Sequence, residues 1–313
     1  MTTAQAFELQ GHRGARGLMP ENTLAGFAKA LSIGVTTLEL DVGVTSDGIV
    51  VISHDERLNG AIARDADGTW LTGVGTPLNH LSFAELGTYD VGRLNPAHRY
   101  ARRFASQRPV DGARIPSLTE VIRLARKAGN GRVRFNIETK LNPAEPGITP
   151  APKAFAEAVI AVLEKEGVAG RAIIQSFDWR TLRHVQRIRP GIGTAYLSAQ
   201  RDGLDNIQSG RPGPSPWTSG LDADDFGGSV PRMVKAAGGK IWSPYRRDID
   251  AAKLKEAHDL GLEVVVWTVN DPAEMAAFID MGVDGIISDY PDRLRRVAGD
   301  KGIALPEPTP VTP

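Results

Sequence analysis

Three pieces of sequence near the N-terminus decide how the rest is read. They are G-H-R-G-A-R-G-L-M-P-E-N-T-L from Gly11 to Leu24, T-L-E-L-D-V from Thr37 to Val42, and V-V-I-S-H-D from Val50 to Asp55. Each puts polar residues where a folded chain ordinarily carries apolar ones. A Gly-rich turn presents His12 and Arg13, and a second apolar strand ends in His54. Between them, Glu39 and Asp41 share one face of a strand, because side chains alternate, while Leu38, Leu40 and Val42 take the other.

Working outward, Phe7–Gln10 reads as a short strand feeding the glycine turn. Pro20-Glu21-Asn22-Thr23 then starts a helix whose apolar period runs to about Ser32, before Gly34. Asp47-Gly48 is a turn signal that makes Val44 and Ile49–Ser53 a hairpin or strand extension. From about 55 to 116 the periodicity is lost, apart from a helical piece near Ser82–Leu86. A structureless loop of that length does not suit a compact domain, so the span reads as an inserted subdomain.

Beyond it, strand and helix alternate to the end. Strands are expected at Arg134–Thr139, Ala172–Ser176, Gly193–Leu197, Lys240–Ser243, Glu263–Thr268 and Gly285–Ser288. Helices are expected over Ser117–Ala128, with Ser117 and Glu120 as a capping box, then Pro152–Glu166, Asp178–Arg189, Val230–Ala237, Ile249–Leu260, Pro272–Met281 and Pro291–Ala298. The fifth strand leads first through a Pro/Gly-rich loop at 209–220. Eight such units in 313 residues predict an α/β fold, a (β/α)8 TIM barrel. It forms one catalytic domain over about 7–300, and the tail, 301–313, is expected to be disordered. An open doubly wound sheet would want a G-x-G-x-x-G loop after the first strand, and none is there.

Composition narrows the function. Lys+Arg and Asp+Glu both total 37, and this zero net charge argues against nucleic-acid and membrane-surface binders. With no Cys, disulfides, thiolate zinc sites and Cys nucleophiles are excluded. No apolar run approaches the ~18 residues of a membrane span, so no stable membrane insertion is expected. Ala4-Gln5-Ala6 resembles the small-residue cleavage site of a secretory leader. It points to a mature periplasmic or secreted chain, with a cytoplasmic chain and a short disordered N-terminus as the alternative.

In such a barrel the C-terminal strand ends line the active site. There the sequence delivers His12 and Arg13, Glu39 and Asp41, His54, Glu138 and Lys140, Gln175, Ser243 and Tyr245, and Trp267. Asn136, Glu138 and Lys140 share a strand face, so three carboxylates enter one mouth and resist joint ionisation unless a cation compensates. Lys140 offsets one; a divalent metal offsets the rest, and oxygen ligands favour Ca2+ or Mg2+ over zinc. His12 and His54 are a candidate acid–base pair, Arg13 and Lys140 a candidate phosphate clamp, and Trp267 a stacking surface. Gln175 and Tyr245 are lesser candidates. Taken singly, each has a plain structural reading as an ion pair, a core histidine or a core aromatic. Together they suit phosphoryl transfer. His80, His98, His184 and His258 are expected at the surface.

The motifs G-H-R-G, P-E-N-T, E-L-D, H-D, E-T-K, Q-S-F-D, W-T-V-N and D-G-I-I-S-D-Y-P, in order from about residue 7 to 298, resemble the glycerophosphodiester phosphodiesterase family. That resemblance implies metal-dependent hydrolysis of a glycerophosphodiester, a small-molecule substrate, to sn-glycerol 3-phosphate and an alcohol. It implies Ca2+ or Mg2+ on Glu39, Asp41 and Glu138, with His12 as base and His54 as acid through a cyclic phosphate. Arg13 and Lys140 would bind phosphate, Trp267 the glycerol, with Gln175 a further substrate-side candidate. Where many relatives follow H-D with a D-R-T-like run, this chain reads Glu56-Arg57-Leu58-Asn59-Gly60, a departure on the alcohol side. A lysophospholipase D-like enzyme is the alternative; it predicts an apolar rim in the insertion or near Trp217, which the Arg-rich segment 99–108 fits poorly. A non-catalytic binding barrel would lack ligands, and none is missing. A metal-dependent amidohydrolase would want H-x-H where His12-Arg13-Gly14 stands.

Overall fold

Apolar residues on one face of each strand and short helices after it leave one economical arrangement, a closed ring of strands under a ring of helices. The computed structural model describes residues 7–313. Its barrel strands are β1 (Glu8–Gly11), β2 (Thr37–Val44), β3 (Arg134–Thr139), β4 (Ala172–Ser176), β5 (Gly193–Ser198), β6 (Ile241–Pro244), β7 (Glu263–Val266) and β8 (Gly285–Ser288). All run parallel in sequence order, and β1 pairs with both β2 and β8, closing the ring. The helices are α1 (Leu24–Ile33), α2 (Leu118–Lys127), α3 (Pro152–Lys165), α4 (Trp179–Ile188), α5 (Val230–Ala236), α6 (Ala251–Asp259), α7 (Pro272–Met281) and α8 (Pro291–Asp300). This is the (β/α)8 barrel expected.

Leu38, Leu40 and Val42 are buried in the strand–helix layer with Phe27, Phe135 and Phe155, which leaves Glu39 and Asp41 facing inward. The interior is divided. Ile173, Ala195, Ile241, Val265 and Ile287 form an apolar plug under β4 to β8. The β1–β3 side is polar: Asn136 Nδ2 donates to Gln10 Oε1 (2.8 Å) and Gln175 Oε1 (2.9 Å). Register sets Asp41 opposite Glu138, and Glu138 opposite Gln175.

Strand Val50–Ile52 runs antiparallel to β2, as the Asp47-Gly48 turn predicts. The chain then traverses short helices at Leu78–His80, Phe83–Leu86 and Arg99–Phe104 before Ile52 N donates to Pro116 O (2.8 Å). Val51, Leu58, Leu78, Leu86, Val91 and Ile115 give this segment a small core of its own.

One expectation needs correcting. His184 is buried on α4, with Glu157 at Nε2 (2.8 Å) and Arg187 at Nδ1 (2.6 Å), because α4 packs this face on α3. His80, His98 and His258 are exposed as expected. The Pro-rich tail, read as disordered, lacks regular structure but lies against the outer helices. Thr309 N donates to Leu31 O (2.9 Å), Arg295 Nη1 to Pro306 O (2.7 Å), and Leu305 and Val311 pack on the core. Ala4-Gln5-Ala6 falls outside the described residues. Among those described, no helix is long and apolar enough to cross a membrane.

Candidate active site

The turn after β1 is built backbone to backbone. Gly14 has φ +83°, and a Cβ there would lie 2.7 Å from the Gly26 carbonyl carbon, so the turn seats on α1 only without a side chain. Thr23 caps α1, its hydroxyl accepting from Gly26 N (3.1 Å). Arg13 and Asn22 both adopt left-handed backbone, φ +50° and +55°, and Asn22 N donates to Arg13 O (3.0 Å). That conformation costs roughly 1 kcal/mol or more per residue, and here it aims both side chains at Asp41. Asn22 Nδ2 is 2.9 Å and Arg13 Nε 3.2 Å from Asp41 Oδ2.

Glu39, Asp41 and Glu138 are all buried and each offers a carboxylate oxygen within 4.8 Å of the others. Glu39 accepts from Arg13 N (2.8 Å) and Gln175 Nε2 (2.7 Å), and Glu138 from Lys140 Nζ (2.7 Å). Asp41 Oδ1 is buried with no hydrogen-bond partner. Burial, followed by the neighbouring Asp41, raises Glu39 well above the usual carboxylate range, and burial pushes Glu138 up to about 7 despite Lys140. Asp41 goes the other way: burial is outweighed by Arg13, His54 and Lys140. The three cannot all be ionised at neutral pH without another cation, and Asp41 Oδ1, which has Lys140 Nζ at 3.8 Å but no hydrogen bond, points to where one belongs. An all-oxygen donor set of this kind fits a hard divalent ion.

His12 Nδ1 is 2.6 Å from Asp289 Oδ1, which only accepts, so Nδ1 carries the proton. Nε2 then presents its lone pair to the site, 3.9 Å from Glu39 Oε2. Arg16, bonded through Nε to the same Asp289 oxygen (2.8 Å), also lies against the ring. Burial and then Arg16 push His12 down to about 4, against the pull of Asp289, so the imidazole is neutral at physiological pH. His54 is half-buried, its Nδ1 2.8 Å from Asp55 Oδ1; burial, Arg13 and Lys140 hold it below its ordinary value.

Apart from Asp41, which is fully buried and not among the lining residues, the predicted site side chains described above line one cavity of about 590 Å3 at the C-terminal end of the barrel. It brings together His12, Arg13, Glu39, His54, Glu138, Lys140, Gln175, Tyr245 and Trp267, every one expected from the sequence. Some are more committed than expected. Arg13 is clamped to Glu21 (2.7 Å) and Asp41, and Gln175 spends its amide on Glu39 and Asn136. Ser243 is not at the surface of the cavity: its hydroxyl donates to Val265 O (2.8 Å). Trp267 is fixed by an Nε1 bond to Ser243 O (2.9 Å) and by Phe177 edge-on at 5.5 Å.

Sequence reasoning missed Asp289, Arg16, Glu21, Asn22, Asn270 and Tyr100. Asn270 Nδ2 holds the second Asp289 oxygen (2.7 Å), and the Tyr100 hydroxyl, from the insertion, donates to Glu21 and accepts from Arg16 (3.1 Å). A carboxylate directly after the last barrel strand was the available signal for Asp289.

The Glycerophosphoryl diester phosphodiesterase family profile matches residues 12–293. A crystal structure of a candidate glycerophosphoryl diester phosphodiesterase from Silicibacter pomeroyi DSS-3 is 37% identical, covers 96% of each chain and superposes with a TM-score of 0.83. A glycerophosphodiester phosphodiesterase of Bacillus subtilis (strain 168) is 27% identical, covering 91% of this chain and 84% of its own. A phosphodiesterase from Oleispira antarctica, solved in complex with the product sn-glycerol-3-phosphate, shares the fold at 22% identity and a TM-score of 0.66, covering 95% of this chain and 97% of its own. With a match of that extent over a barrel of this construction, the chain belongs to the glycerophosphoryl diester phosphodiesterase family of phosphoric diester hydrolases.

Proposed function

We propose that this chain hydrolyses glycerophosphodiesters to sn-glycerol 3-phosphate and an alcohol, using one divalent cation, Ca2+ or Mg2+, on Glu39, Asp41 and Glu138. The observation that carries this reading is the buried carboxylate cluster, oxygens within 4.8 Å, flanked by two histidines in one cavity. When bound, the cation neutralises the carboxylates and the charge on the phosphoryl oxygens. Lys140 and Arg13 orient the phosphate from either side. His12 Nε2 takes the proton of the glycerol hydroxyl beside the phosphate as that oxygen bonds to phosphorus. His54 protonates the alcohol oxygen as its P–O bond breaks. Water then opens the cyclic phosphate with the two histidines exchanging roles. Gln175 and the Arg13 amide hold Glu39 in place, and Trp267 with Phe177 forms the wall for the glycerol carbons.

A lysophospholipid substrate would want an apolar rim. Half-buried Trp217, Leu204 and Phe177 do line the cavity, whereas the exposed large apolar side chains among the described residues, Ile49, Val74 and Met281, lie away from it. The test is release of sn-glycerol 3-phosphate from glycerophosphocholine, glycerophosphoethanolamine and glycerophosphoglycerol, with lysophosphatidylcholine alongside. Exhaustive chelation should abolish turnover, and Ca2+ or Mg2+ should restore it. Full activity in the chelated enzyme would refute the metal assignment.

A further inference from the structure

Resting on that reading, we propose that the preferred substrates are glycerophosphodiesters whose alcohol carries a second anionic group, recognised at the rim by Arg103 and Arg201. The two arginines come from different loops, the insertion and the strand segment Gln200–Arg201 after β5, and both line the cavity. Both are exposed, and among the described residues neither forms a salt bridge within 4.0 Å. Arg246 lines the same mouth but is paired with Glu274.

Deeper in, the charges are already matched. Arg13 is paired with Glu21 and Asp41, Arg16 with Asp289, and Lys140 with Glu138. On the acidic side of the rim, Asp55 accepts from His54 and from Asn59 Nδ2 (2.5 Å). Glu56 lines the mouth too, and also a small recess with Lys140, Gly43 and Leu78. Beyond Arg13, which serves the bridging phosphate, the cavity-lining guanidiniums without a salt bridge among the described residues are those of Arg103 and Arg201.

The aromatic residues argue the same way. A quaternary ammonium alcohol needs open ring faces. Three of the five aromatic side chains lining the cavity already face one of the protein's own cations: Arg201 lies 4.9 Å and Arg246 5.9 Å from the Tyr245 ring centre, Arg103 5.7 Å from that of Tyr100, and Lys140 6.0 Å from that of Phe177, which leaves Trp217 and Trp267. The rings thereby hold the guanidiniums over the mouth, ready to meet a carboxylate or phosphate bidentately. A cationic alcohol would instead meet two like charges.

The test compares kcat/KM, at low ionic strength and saturating metal, for glycerophosphocholine, glycerophosphoinositol, glycerophosphoserine and glycerophosphoinositol 4-phosphate. These supply a cationic, a neutral, a carboxylate-bearing and a phosphate-bearing alcohol. A phosphate-bearing alcohol should exceed the neutral one, and the neutral one glycerophosphocholine, by roughly tenfold at each step, the size expected of two partly screened charges. Glycerophosphoserine, whose carboxylate is accompanied by an ammonium, should match the neutral alcohol if net charge decides and exceed it if the arginines grip the carboxylate itself. Added salt should erase the preference. The pair Arg103→Gln/Arg201→Gln should bring the four values together, while Arg103→Lys/Arg201→Lys keeps their order. Equal rates across the wild-type panel, a preference for choline, or an unchanged order in the glutamine variant would overturn the proposal. No release of sn-glycerol 3-phosphate from any of the four would instead refute the phosphodiesterase reading beneath it.

Discussion

Asp289 accepts from His12 and Arg16 through one oxygen and from Asn270 through the other, so it fixes both the tautomer and the plane of the imidazole. Asp289→Asn keeps the size but can turn its NH2 toward Nδ1, which moves the proton to Nε2 and removes the proposed base. We expect kcat to fall on the order of 10²–10³-fold with metal affinity preserved. Titrating metal by calorimetry alongside turnover checks this, and loss of metal binding in step with kcat would contradict it. The same residue marks the limit of what could be read beforehand. Glu39, Asp41 and Glu138 were legible because a two-residue period assigns a side chain to a face. The His12–Asp289 contact joins positions 277 apart, and only the closing of the ring brings them together. His184 was misread for a related reason, since its burial depends on a neighbouring helix rather than on its own period.

Among the elements, the β1 turn and the insertion do the positioning. Gly14→Ala must move backbone at α1 or abandon its positive φ, so it should destabilise by about 2–4 kcal/mol, read as a lowered denaturant midpoint at unchanged slope. Tyr100 links the insertion to Arg16 and Glu21 beside the β1 turn. Tyr100→Phe removes one hydroxyl that both donates and accepts. The expected result is a drop in kcat/KM of about three- to tenfold with little change in melting temperature. A large melting shift with an unchanged rate would show that the insertion serves stability alone. The strands and helices could be read from period and capping; the insertion could not, because its fold rests on a satellite core assembled from scattered residues such as Leu58, Leu86 and Ile115.

At the scale of the whole molecule, stability should report on the proposed metal site. In chelated protein Glu138 is raised to about 7, above its unfolded value near 4.5. A carboxyl so shifted stabilises the fold below the unfolded value and loses that contribution as pH rises to about 7. Neutral His12, lowered to about 4, acts oppositely across nearly the same window, so the difference between wild type and Glu138→Gln is the informative quantity. Without metal, the variant should gain stability over wild type between about pH 4.5 and 7. Saturating Ca2+ or Mg2+ should raise the wild-type melting temperature and leave the variant nearly unmoved. An identical pH slope in the two chelated proteins would refute this account.

The ring closes where β1 meets β8, and the His12–Asp289 bond spans that seam. A chain synthesised as far as residue 284 already contains His12, His54, the three clustered carboxylates, Lys140 and Trp267, yet has no partner for His12 Nδ1. Catalytic competence therefore arrives last, with the final strand. Turnover can serve as a clock for the end of folding, and a hydrogen bond serves as the latch that a half-made barrel lacks.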